Sequence, residues 1–198
     1  MHRDRQHDPA DLLAAQRGDD RAWSRIHAHW CDTIFRWCAR YGGPDIDAED
    51  ATQVVFMLLH QRAHTLAGPE VLPAWLHAVS FNVARDQRRA RRNVLWDWLE
   101  PLWRAPRGQQ PDARLERAEL ERDIAEVLGA LSDDHQQVLV LCKLEGRSFS
   151  EAAALLGLPR ATVASRTQRA LERFGELARR RGLDTHLIEL APDDLLTA

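Results

Sequence analysis

Ser148-Phe149-Ser150-Glu151 opens the stretch SFSEAAALLGLPRATVASRTQRALER (148–173) with the pattern of a capping box. Ala152, Ala153, Leu155 and Leu156 follow at helical spacing. Gly157-Leu158-Pro159 then reads as a tight stop and restart. In the next helix Val163, Thr167, Ala170, Phe174 and Leu177 share one face. A capped short helix, a glycine turn and a proline-started helix together make a helix-turn-helix. Arg160, Thr162, Ser165, Arg166, Arg169 and Arg173 are left pointing outward. Arginine can pair with guanine edges and phosphates, and hydroxyls suit phosphates or either base edge.

Charge supports that face. Arg160 to Arg181 carries seven arginines against two glutamates, whereas residues 116–134 carry seven acids and two arginines. A polarised domain can present a basic surface although the whole chain has a net charge of −3. A free-standing DNA binder is usually basic overall, so the acidic total disfavours autonomous DNA binding. Two further helices are expected upstream, one on Leu120, Ile124, Val127, Leu128 and Leu131, the other capped by Ser132 and ending near Gly146.

The first half is also helical in pattern. Asp8-Pro9 resembles a cap with proline at the first helical position, and this helix should run to Gly18. Trp23, Ile26, Trp30, Ile34, Cys38 and Tyr41 recur at three- and four-residue steps, until Gly42-Gly43-Pro44 ends that helix. Asp45, Asp47, Glu49 and Asp50 open a third helix, where negative charge suits the dipole, with Ala51, Val55, Leu58 and Leu59 inward. A fourth helix should turn Trp75, Leu76, Val79 and Val83 inward and end in a basic run, Arg85 to Arg92. Residues 94–114, rich in proline but also holding Trp96, Trp98 and Trp103, read as a linker that is unusually apolar for a solvated tether. The expected fold is all-α, two small helical domains (8–93 and 115–182) with a tail at each end (1–7 and 183–198).

Two outward stripes in the first half carry chemistry. His77, Phe81, Arg85 and Arg88 fall at steps of four, four and three, flanked by Asn82, Arg89 and Arg92. An exposed phenylalanine among arginines can stack on an unpaired base while the cations hold phosphates. Asp50, Gln53, Val54 and Met57 form the second stripe, away from the inner face of the third helix. Valine and methionine on an outer face suggest a docking surface.

These features, in this order, resemble the sigma-70 family of RNA polymerase sigma factors, and within it the small extracytoplasmic-function group. Asp47 to Phe56 is similar to the polymerase-binding helix, region 2.2. Ala74-Trp75-Leu76 through Asn82 and the arginine run is similar to regions 2.3 and 2.4, and Leu131 through Arg173 is similar to region 4. The resemblance covers residues 8–182. It implies a factor that binds core RNA polymerase through Glu49, Asp50, Gln53, Val54 and Met57. It implies contact with the promoter −10 element through His77, Phe81, Asn82, Arg85, Arg88, Arg89 and Arg92. The −35 element would fall to Arg160, Thr162, Ser165, Arg166, Arg169 and Arg173. An anti-sigma factor is a further implied partner, and the Trp-rich linker and the Val54–Met57 stripe are candidates for its grip. The implied setting is the cytoplasm, with no cofactor, metal or small-molecule substrate. Val54, Pro73, Phe81 and Ala164 depart from the common family residues, which bears on promoter choice rather than on class.

Other classes are less well served. A stand-alone regulator could use the same helix-turn-helix, with the first half as a dimerisation or sensor module. His60-Gln61-Arg62-Ala63-His64 is spaced like a zinc-protease motif, but glutamine stands where the general base is needed. Cys31, Cys38 and Cys142 are an odd count without paired spacing, so a disulfide framework is not expected. No apolar run reaches the length of a membrane span, and the N-terminus leads into no secretory signal.

Overall fold

The computed structural model describes residues 9–44, 46–99 and 113–183, and for 91–99, 113–119 and 121 the backbone course only. The described residues are helical with no strand. The order is α1 (Pro9–Gln16), α2 (Asp20–Gly42), α3 (Ala48–Arg62), α4 (Leu72–Leu99), α5 (Ala113–Gly129), α6 (Asp133–Leu139), α7 (Phe149–Leu156) and α8 (Arg160–Arg180). Two short 3₁₀ turns, Ala63–Thr65 and Pro69–Val71, lead from α3 into α4.

The helix starts follow from local chemistry. Asp19 accepts hydrogen bonds from the Arg21 and Ala22 amides at the head of α2. Asp47 does the same for Glu49 and Asp50 at the head of α3. Each satisfies orphan amides of a first turn. Ser148 and Glu151 close the capping box of α7 in both directions. Gly157 ends α7 at φ +64°, a left-handed conformation that favours glycine. Ser132 holds the N-cap position of α6, but its hydroxyl makes no capping bond.

Downstream of Ser132 the helix is not regular. After Leu139 it widens into a π turn, Val140–Leu144. The Glu145 amide donates to the Val140 carbonyl at 2.8 Å, and the Arg147 amide to Leu141 at 3.0 Å. Hydrophobic periodicity predicts one helix here, because a single wide turn barely disturbs which residues face inward.

Two cores result. The first joins α1, α2, α3 and α4 through Leu12, Ile26, Ile34, Trp37, Tyr41, Val55, Leu59 and Leu76. The second joins α5 to α8 through Val127, Leu131, Val138, Leu141, Val163, Ala170 and Phe174. They are not separate: Val140 is buried in the first cluster, and Leu144 and Leu155 pack against it.

The face of α4 corrects the expectation from sequence. Leu72, Leu76, His77, Ser80, Phe81 and Ala84 are buried, while Trp75, Val79 and Val83 are half-buried. His77 and Phe81 therefore do not stand outward; they are 1% and 4% exposed. The reason is that α4 packs against α2, α3 and α7 at once, so a stripe opposite one apolar face meets another element. The Phe81 ring sits edge-on to Tyr41 at 5.0 Å. His77 meets Trp37 and Tyr41 edge-on, and its Nε2 lies 2.7 Å from the Tyr41 hydroxyl.

That pair has a defined protonation. Burial holds the Tyr41 phenol well above its ordinary value. Burial, with the charge of Arg147 second, pushes His77 down from 6.5 to about 4. Both partners are therefore neutral, and the direction of their single hydrogen bond follows the tautomer of His77.

Two outcomes are expected. The unfolded chain binds the His77 proton more readily than the folded one. Stability is thus full above about pH 6.5 and falls as pH drops toward about 4, by about 3 kcal/mol at most. Urea unfolding across this range should show that slope, and His77→Gln should flatten it. Ser148→Ala removes the α7 cap and should cost about 1 kcal/mol in the same assay.

Candidate functional site

On α3, Glu49, Asp50, Gln53, Val54 and Met57 are all exposed. Met57 is 60% exposed and Val54 36%, although both are apolar. They stand outward because Ala51, Val55 and Leu59 occupy the buried face one turn-step away. The stripe borders a groove between α3 and α2 whose walls include His27, Cys31, Phe35, Gln53, Phe56 and Met57. His27 stacks on Phe56 at 4.3 Å, and Trp23 stacks on His60 at 3.9 Å; these aromatic pairs floor and brace the groove. Phe35 is exposed on the opposite wall, a residue that the periodicity of α2 does not single out. Its signal is nonetheless in the sequence: a large apolar side chain off the Ile34–Cys38–Tyr41 face.

On α4, Asn82 and Arg89 are exposed, and Arg85 and Arg88 are half-buried. The Arg85 guanidinium lies over the Phe81 ring at 5.7 Å. It also pairs with Asp86 at 3.2 Å and with Asp133 of α6 at 2.9 Å. Arg88 donates to the Tyr41 carbonyl at 3.0 Å, where α2 ends and its last carbonyls need partners. Arg92 lies on α4, but its side chain falls outside the described residues.

On α8, Arg160, Arg169 and Arg173 are exposed and Thr162, Ser165 and Arg166 half-buried. Pro159 takes the N-cap position, so the first turn of α8 projects from the glycine corner with its amides uncovered by any capping side chain. The Ser165 hydroxyl donates to the Thr162 carbonyl at 3.1 Å. Arg166 pairs with Asp134 at 2.9 Å, and Arg173 with Glu176 at 2.6 Å. The hydrogen bond from Arg173, helped by its charge, holds the Glu176 carboxyl below its ordinary value. The result is a basic helix face with two arginines, Arg160 and Arg169, reaching solvent beside others that are internally paired.

The His60 and His64 pair does not converge with further ligands; among the described residues no three metal-ligating side chains meet. No helix among the described residues is long and apolar enough to cross a membrane.

This arrangement has close counterparts. Residues 27–94 match Sigma-70 region 2, and residues 121–174 match Sigma-70, region 4. The chain is 32% identical over 166 residues to the RNA polymerase sigma factor CarQ of Myxococcus xanthus, covering 81% of this chain and 91% of that one. It is 30% identical over 186 residues to the RNA polymerase sigma factor CnrH of Cupriavidus metallidurans, covering 84% and 92%. It is 28% identical over 173 residues to the ECF RNA polymerase sigma factor SigE of Mycolicibacterium smegmatis, covering 85% and 67%. Among solved structures, CnrH in complex with the cytosolic domain of CnrY superposes with a TM-score of 0.62 at 26% identity, covering 88% of this chain and 99% of that one. With two helical units in the order these matches require, the chain belongs to the sigma-70 family, extracytoplasmic-function group, and is a sigma factor that directs RNA polymerase to promoters.

Proposed function

We propose that this sigma factor docks on core polymerase through the α3 stripe and the α2–α3 groove, with Glu49, Asp50, Gln53, Val54 and Met57 as contacts. The observation that carries this is the exposed apolar pair Val54 and Met57 beside an open, aromatic-walled groove. An apolar patch of that kind is stable in water only as a docking surface or as a cost to solubility. Asn82, Arg85, Arg88 and Arg89 then form the −10 side of the promoter contact. His77 supports α4 from within, as the partner of Tyr41.

The −35 element falls to the α8 face, with Arg160 and Arg169 best placed for base edges or phosphates and Thr162, Ser165, Arg166 and Arg173 around them. The protein contributes recognition and positioning; the nucleotidyl transfer belongs to polymerase, in the cytoplasm. An anti-sigma factor is a fitting second partner, since CnrH is seen bound to the cytosolic domain of CnrY. The same α2–α3 groove offers it an apolar seat.

Transcription in vitro with core polymerase on genomic fragments, followed by start-site mapping, tests the whole reading. Tight, sequence-specific binding to promoter DNA by the isolated chain would overturn it in favour of a stand-alone regulator. Met57→Ala should weaken holoenzyme assembly about tenfold, the loss expected for one buried interface side chain. Arg160→Ala and Arg169→Ala should each cost about 1–3 kcal/mol of discrimination between the native and a substituted −35 sequence, read as relative transcript yield. Neither should change assembly with core.

A further inference from the structure

Two arginines of the α8 face are held by acids, and in different ways. Arg173 pairs with Glu176 on its own helix, so that pair moves as one piece. Arg166 is paired across elements: its Nη1 lies 2.9 Å from a carboxylate oxygen of Asp134, in the first turn of α6. α6 is a firm mount for that acid. Val138 and Leu139 of α6 are buried in one core with Val163, Ala170 and Phe174 of α8, which fixes the two helices against each other. A carboxylate also suits the first turn of α6, where the helix dipole is positive.

Arg166 stands at the margin of the exposed face. Thr167 beside it is buried and donates to the Val163 carbonyl at 2.8 Å, while Ser165 on the other side is half-buried. The Arg166 side chain is 28% exposed and that of Asp134 is 61% exposed. An ion pair this open adds little to stability, so the fold does not depend on it. Its effect is on freedom of movement. A guanidinium presents five donors in a rigid fork. The pair with Asp134 uses Nη1, and the Nε–Nη2 edge, which matches two phosphate oxygens, remains for another acceptor. An arginine ordered before DNA arrives also gives up less rotamer entropy on binding.

We propose that Asp134 is a positioning residue for promoter recognition. It holds the Arg166 guanidinium so that the Nε–Nη2 edge takes one backbone phosphate of the −35 element. That fixed contact sets the register in which Arg160 and Arg169 meet the bases. The inference rests on the assignment of the α8 face to the −35 element. Phosphate contacts carry no sequence information themselves, but they fix the orientation of a protein on the duplex. The acid also has an unfavourable effect: its charge repels neighbouring phosphates, and salt screens that repulsion. Asp134 therefore improves register at the expense of general affinity for DNA.

Holoenzyme titrated onto two promoter fragments, one with the native −35 sequence and one with that sequence replaced, tests this. The ratio of the two Kd values reads discrimination. Asp134→Asn keeps the size of the side chain and removes its charge. It should lower the ratio about fivefold, near the low end of what one fixed contact contributes. It should also tighten binding to the replaced fragment about twofold at low salt and not at high salt. Arg166→Ala should lower the ratio too, and Asp134→Asn added to Arg166→Ala should lower it no further. An unchanged ratio in Asp134→Asn, where Arg166→Ala lowers it, overturns the proposal. So does a further fall in the double variant. Weaker binding to both fragments by one common factor also overturns it, since that marks a role in the folding of α6 alone. An unchanged ratio in Arg166→Ala would instead remove Arg166 from the promoter contact, and with it the task assigned to Asp134.

Discussion

Tyr41 is the residue on which both halves of the molecule converge. Its phenol is hydrogen-bonded to His77 inside the first core, and its carbonyl accepts from Arg88 and Gln136. The constraint behind this is general: the last carbonyls of a helix have no partners within it. α2 ends in a buried place, so its final acceptors must be met by side chains from elsewhere. One comes from α4 and one from α6, which ties three elements to a single backbone oxygen. The ring above is fully buried, and its hydroxyl would be left without a partner if the histidine beside it were absent. The arrangement thus fixes the protonation of His77 and the orientation of α4 together.

The distribution of charge obeys a similar logic. The chain is acidic in total, yet its two basic helices are those assigned to DNA. The acids that balance them are concentrated on α5, on the head of α6 and at Glu145. Asp133 pairs with Arg85, and Asp134 with Arg166. Of the exposed large apolar side chains, Val54, Met57 and Phe35 lie on or beside one groove, while Leu13 on α1 and Leu171 on α8 lie away from it.

Much of this is legible from residues alone because the deciding signals are local. The capping box at Ser148, the left-handed stop at Gly157, and the caps at Asp19 and Asp47 each operate within a turn of helix. The outward stripe of α3 is also readable, since one buried face is enough to define it. α4 is not, because periodicity reports which residues are apolar but not how many neighbours a helix has. His77 and Phe81 look like the outer side of a two-sided helix, and α4 is packed on more sides than two. The Arg85–Asp133 pair spans 48 positions and leaves no trace in spacing. The π turn after Leu139 is hidden for a different reason: it preserves the hydrophobic pattern while rotating the residues beyond it about the helix axis.

That turn has a consequence in genetic terms. A π turn accommodates one residue more than the α-helix would, at little cost to the packing on either side. Loss of a single codon within 140–144 would let a regular helix form and leave the residues beyond it on the faces they now occupy. Chain length is therefore free to change by one residue at this turn while Glu145 stays beside Arg40. Relatives that are one residue shorter here need no compensating substitution to keep that contact.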